Sequence, residues 1–132
     1  MYSTFYSNSI IRFNDILYPE KFHLNTLFNV KKYIDNNFFN QIDLNFLALE
    51  YGYSKFYLLR LFKLYFHTTP RQYQIKKRIE HAKEQLSYGM SVSQTCYSVG
   101  FQSVSTFSSL FRRKTGLSPG DFKKNNNIEI II

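Results

Sequence analysis

The sequence predicts an all-α fold of about seven helices, arranged as two helix-turn-helix subdomains joined by a long linker helix. Three observations predict it. No stretch alternates apolar and polar residues convincingly with the period of two expected of a half-buried strand. Apolar residues recur instead at three- and four-residue spacing in short blocks, punctuated by Gly52, Gly89, Gly100, Thr69-Pro70 and Ser118-Pro119. Finally, the pattern running from Asp43 to Tyr73 returns between Ser91 and Phe122, and a repeated unit marks a duplicated architecture.

Residues 1–24 hold no sustained periodicity and are expected to form an N-terminal extension. The first subdomain is expected over 25–73. It opens with "LNTLFNVKKYIDNNF", where Leu27, Val30 and Ile34 stripe a short helix that fades at Asn36-Asn37. Asp43 stands as an N-cap before "LNFLALEY", with Leu44, Leu47 and Ala48 on one face, and Gly52 stops that helix. Ser54 then caps "KFYLLRLFKLYF". Thr69-Pro70 opens a longer helix, with proline at the first position, where its missing N–H does no harm. Ile75, Ile79, Ala82 and Leu86 form its apolar stripe, Lys76, Lys77, Arg78, Lys83 and Glu84 take the remainder, and the linker part is expected over 74–90. The second subdomain, expected over 91–124, begins with the capping box Ser91-Val-Ser-Gln94. Gly100 ends that helix; others follow over about 102–114 and after Ser118-Pro119. The tail 125–132, "NNNIEIII", is expected to be disordered or loosely docked.

The repeat holds residue by residue. Asp43 matches Ser91, Leu44 Val92, Ala48 Cys96 and Gly52 Gly100 at an offset of 48, with Tyr53 matching Phe101. After one extra residue in the second turn the offset is 49: Leu58 matches Phe107, Leu61 Leu110, Phe62 Phe111, Pro70 Pro119 and Tyr73 Phe122. Each copy reads as a capped helix, a glycine turn and a second helix with an apolar ridge, closed by a third helix in a homeodomain-like unit. One such reading is weak, because amphipathic helices joined by glycine are common. Two in register are far harder to produce by chance. The joining helix, from about Arg71 to Ser87, is a rigid spacer of roughly 25 Å. With part of each subdomain it can cover the roughly 34 Å between successive major-groove faces of B-DNA, so one chain can carry two reading heads.

Composition narrows the classes. A chain of 132 residues allows one domain or two very small ones, and 44% hydrophobic with 19% aromatic content is enough for a core. The single cysteine, Cys96, excludes an internal disulfide framework, and no Cys/His spacing matches a zinc site. No metal or cofactor is expected. Neither a membrane-spanning run nor a signal peptide is present, so a soluble, cytoplasmic protein is expected. His23, His67 and His81 fall in different elements without a converging nucleophile, no glycine-rich phosphate loop exists, and Cys96 takes the packing position of Ala48. An enzyme is not expected. The cations around Lys76 to Arg78 lack the large apolar face of an interfacial helix. Net charge is +8 and unevenly spread: Tyr53 to Lys124 holds thirteen Lys or Arg against three acids, and the rest four against six. A basic body between less basic ends fits a polyanion binder, or simply a solvated basic surface.

The stretches "SKFYLLRLFKLYFHTTPRQY", "RIEHAKEQL" and "SVSQTCYSVGFQSVSTFSSLFRRKTGLSPGDF" resemble the DNA-binding domain of AraC/XylS transcription regulators. The resemblance runs from about Leu27 to Lys124, and the chain is similar in size to the stand-alone MarA and SoxS subgroup. It implies a bilobed, seven-helix domain that binds an asymmetric promoter site as a monomer and activates transcription, with RNA polymerase as a second partner and the nucleoid as its place in the cell.

Two faces are expected on each reading helix. Leu58, Leu61, Phe62 and Tyr65 form the packing ridge of the first. Its other stripe, Phe56, Leu59, Arg60 and Lys63, suits a major groove: Arg60 can bond guanine bidentately, and Phe56 and Leu59 can meet thymine methyls. Ser54, Lys55 and Lys63 suit phosphates. The resemblance places base contacts on the same stripe. The alternative is that Phe56 and Leu59 pack on the preceding helix. Carried across the repeat, the stripe becomes Ser105, Ser108, Ser109 and Arg112, with Val104 and Thr106 beside it as further base-contact candidates and Gln102, Ser103, Arg112 and Arg113 as phosphate contacts. Two departures from the family stand out. Ser109 replaces a polar, often basic residue, and His67 sits where Gly116 sits in the second copy. The second head is therefore expected to bind mainly through phosphates and shape. Two other classes remain open: a protein-interaction module built on helix-turn-helix folds, and a non-specific RNA or DNA coat using aromatic stacking.

Overall fold

The computed structural model describes the backbone of residues 19–131 and the side chains of residues 23–126. Among these residues the chain forms seven α-helices and no strand: α1 Pro19–Asn37, α2 Leu44–Glu50, α3 Lys55–Phe66, α4 Pro70–Ser87, α5 Val92–Ser98, α6 Val104–Thr115 and α7 Pro119–Ile131. The expectation for residues 1–18 lies outside the described residues. The chain divides into two compact units: residues up to Tyr33 with Leu44–Thr69, and Ile34–Asp43 with Pro70 onward. The division thus falls inside α1 and at Pro70, where the sequence placed it after Tyr73.

In the first unit α2 packs against α3. Leu27 and Val30 of α1, Leu47 and Ala48 of α2, and Leu58, Leu61 and Phe62 of α3 are buried. The start of α1 is a correction: helix begins at Pro19, several residues before the expected edge of the extension. His23 continues the Leu27, Val30, Ile34 stripe one turn earlier and is itself buried. Its Nδ1 lies 2.7 Å from the Tyr53 hydroxyl, which supplies the partner a buried imidazole needs.

In the second unit α4 packs against α5 and α7, α5 against α6, and α6 against α7. The core joins Ile79, Ala82 and Leu86 of α4 to Cys96, Val99, Phe101, Phe107 and Phe111. Phe111 meets Phe107 at 5.7 Å and Phe122 at 5.4 Å between ring centroids, both edge-on. Cys96 is fully buried, as is its counterpart Ala48 in the first unit, and burial pushes its thiol pKa up.

Arg78, expected outside the apolar stripe of α4, lies in the interior. It is only 2% exposed. Its Nε donates to the Phe38 carbonyl at 2.6 Å and its Nη2 to the Asn40 carbonyl at 3.1 Å, while the guanidinium stacks on the Phe101 ring at 5.2 Å. Gln74 donates to the same two carbonyls. These carbonyls follow the C-terminus of α1, where a cation is favoured by the helix dipole. Nearby the Tyr73 hydroxyl donates to Asp35, which also pairs with Lys77 at 3.5 Å. The chain end differs too: α7 runs to Ile131 past the expected limit at Lys124, and Asn126 Nδ2 donates to Ser87 Oγ at 2.8 Å.

Candidate nucleic-acid interface

The two candidate reading helices are built by the same local hydrogen bonds. Each follows a Schellman turn. In the first, the N–H of Tyr53 donates to Ala48 and that of Gly52 to Leu49; in the second, that of Phe101 donates to Cys96 and that of Gly100 to Tyr97. A serine then caps each helix. Ser54 Oγ accepts from the Tyr57 N–H at 3.1 Å, and Ser103 Oγ from the Thr106 N–H at 3.3 Å. Both helices end in a left-handed residue whose N–H closes on the carbonyl four residues back: His67 (φ 59°) on Lys63 and Gly116 (φ 84°) on Arg112, each at 2.8 Å. Among the described residues His67 is the one non-glycine with positive φ.

These caps set which side of each helix faces outward. On α3 the ridge Leu58, Leu61 and Phe62 is buried and Tyr65 half-buried. The opposite side carries Phe56 (80% exposed), Arg60 and Lys63, both exposed, and Leu59, half-buried. Phe56 therefore does not pack on α2. Ser54 is exposed with its hydroxyl engaged as the cap, and Lys55 is half-buried. Phe56, Leu59, Arg60 and Lys63 line one open groove together with Leu64, His67 and Thr69. Leu64, 66% exposed, escaped the sequence reading. Its signal was available, since it stands four residues after Arg60 and so on the same face.

On α6, Phe107 and Phe111 are buried and Leu110 half-buried. Ser105, Thr106, Ser109, Arg112 and Arg113 are exposed, as is Gln102 before the helix, and Ser108 is half-buried. Ser103, half-buried, also lies 3.1 Å from the Ser105 hydroxyl. Val104 differs from its neighbours: it is half-buried and packs against the core of this unit.

Among the described residues no carboxylate stands within ion-pair distance of Arg60, Lys63, Arg112 or Arg113. Lys77 on α4, by contrast, pairs with Asp35 and lies 4.0 Å from Glu80. The histidines do not converge: His23 bonds Tyr53, His67 caps α3, and His81 lies 3.7 Å from Glu84. Among the described residues no helix is long and apolar enough to cross a membrane.

A helix-turn-helix domain family matches residues 47–125, more than half of the chain. The chain belongs to the AraC-type helix-turn-helix regulators. Two similar relatives are an uncharacterised helix-turn-helix transcriptional regulator from the cgkA 5′ region of Pseudoalteromonas carrageenovora, 38% identical over 73% of this chain, and the raffinose operon regulator RafR of Pediococcus pentosaceus, 33% identical over 73%. The chain spans only 57% and 35% of their respective lengths. It covers 87% of the regulatory protein SoxS of Salmonella typhimurium at 29% identity over 70% of this chain. Among solved structures, an AraC-type regulator from Chromobacterium violaceum aligns with a TM-score of 0.70 at 26% identity, covering 78% of this chain and 93% of that one. The DNA-binding domain of AdpA, solved with a target DNA, aligns with a TM-score of 0.72 at 25% identity, covering 78% and 94%.

Proposed function

We propose that this chain is a sequence-specific, double-stranded DNA-binding regulator of transcription, an activator that acts without catalysis or cofactor. Its α3 and α6 enter successive major grooves of an asymmetric promoter site, with one chain serving as the binding unit and RNA polymerase as the second partner. The cytoplasm, at the nucleoid, is the compartment this implies. One observation carries the reading: two helices with matching caps present exposed faces whose cations meet no described carboxylate. That the AdpA domain was solved on a target DNA supports it.

The two faces have different roles. Arg60 reads a guanine from α3, and Lys63 and Lys55 meet phosphates, joined by the backbone N–H groups after Ser54. Gln102, Ser103, Arg112 and Arg113 hold phosphates around α6. The hydroxyls of Ser105, Thr106, Ser108 and Ser109 add weak base readout, while Val104 serves the core. Arg60→Ala tests this directly in a gel shift. Specific affinity is expected to fall about 10- to 100-fold, the worth of a bidentate arginine–guanine pair, with non-specific affinity changing much less. Unchanged affinity and unchanged sequence preference would remove α3 as a reading helix.

A further inference from the structure

We infer that the first reading head recognises the 5-methyl groups of thymines on both sides of the guanine met by Arg60, with Phe56 and Leu64 as the methyl readers. This rests on the DNA-binding reading above and names what that site reads.

On an α-helix, residues four apart lie almost in line along one face. Phe56 stands four residues before Arg60 and Leu64 four after it. The arginine is thus bracketed by two large apolar side chains, 80% and 66% exposed, lining the same open groove. Leu59 also lines it but is half-buried, at the flank of the stripe. Exposed apolar side chains of this size, side by side around a cation, favour a surface that offers apolar and anionic groups together. The major groove of DNA rich in thymine does so: methyls project into it beside bases whose edges accept hydrogen bonds, and phosphates line its rim. Arg60 and Lys63, which meet no carboxylate among the described residues, make the groove on α3 complementary to it in charge.

The helix also sets the spacing. Four residues rise about 6 Å, and bases along one strand lie about 3.4 Å apart. With the helix axis laid along the base stack, the methyls read by Phe56 and Leu64 fall about two base pairs to either side of the guanine. A methyl removed from water contributes close to fourfold in affinity.

The test begins with duplexes enriched by the full chain from a random pool. In the best of them, each thymine is replaced in turn by deoxyuridine, which deletes the methyl and keeps the base pair. Affinity is expected to fall about fourfold at one position on each side of the guanine, and to be unchanged across the half bound by α6. In Phe56→Ala and Leu64→Ala, exposed positions where truncation leaves the core intact, uracil at one of the two positions should cost nothing further. Equal binding of thymine and uracil duplexes by the unmutated chain overturns the inference while leaving DNA binding in place. Methyl dependence that persists undiminished in both variants overturns the assignment to Phe56 and Leu64. Failure to enrich any duplex overturns the DNA-binding reading itself.

Discussion

His67 holds the left-handed end of α3 with a side chain that makes that conformation costly. A non-glycine residue there is strained by about 1–2 kcal/mol, partly offset because glycine loses more freedom on folding. His67→Gly should therefore stabilise the protein by about 0.5–1 kcal/mol, read as a higher melting temperature; a lower one would mean that the imidazole contributes more than the strain costs. The repeat made this legible, because Gly116 occupies the matching cap. Arg78 was legible in part. It stands three residues after Ile75 and four before Ala82, so spacing put it on the buried stripe while charge argued for solvent. What the sequence could not supply was its acceptors, carbonyls 38 and 40 residues earlier in the chain. Tyr73 beside it keeps its proton unusually tightly, mainly through burial and then through its bond to Asp35 and that carboxylate's charge. Raised in the fold above the ordinary value of about 10, the phenol contributes stability that is complete below that pH and declines above it. Denaturant melts across that range should show the decline, and Tyr73→Phe should flatten it. An equal decline in both proteins would assign it elsewhere.

At the scale of elements, capping chemistry was the most readable feature. Ser54 and Ser91 were legible as caps, and the structure adds Ser103, each accepting an N–H three residues on. Element limits were less readable where tertiary contacts decide them. The start of α1 carries a histidine into the interior, where the Tyr53 hydroxyl meets it, and α7 extends through a tail whose "NNN" reads locally as loop. The two turn glycines look equivalent in sequence and are not. Gly52 has φ +75° and open space where a Cβ would stand, whereas a Cβ on Gly100, at φ +103°, would come within 2.8 Å of the Phe39 carbonyl carbon. Gly52→Ala should cost about 1–2 kcal/mol from backbone strain alone. Gly100→Ala should cost clearly more, because the Phe39 backbone must also move. Equal losses in chemical denaturation would mean that the 34–43 segment yields easily.

For the molecule, duplication has produced two heads with one scaffold and two surfaces. Caps, turns and apolar ridges repeat across the copies, while the outward stripes have diverged from phenylalanine, leucine and arginine to serine. This follows from where selection by physics acts: the inward face must fill a core, but the outward face is constrained only by what it meets. Fold was accordingly more legible than site. Spacing identified the outward stripe, but that Leu64 is exposed and Val104 half-buried against the core needed the packed structure. On the proposed DNA-binding function, these unequal faces read their site unequally. The measurement that tests this most directly is a base-pair substitution scan across the footprinted site, scored by binding affinity. Losses of about 1–3 kcal/mol per pair are expected in the half bound by α3, with small losses in the half bound by α6. Equally large losses in both halves would contradict the account.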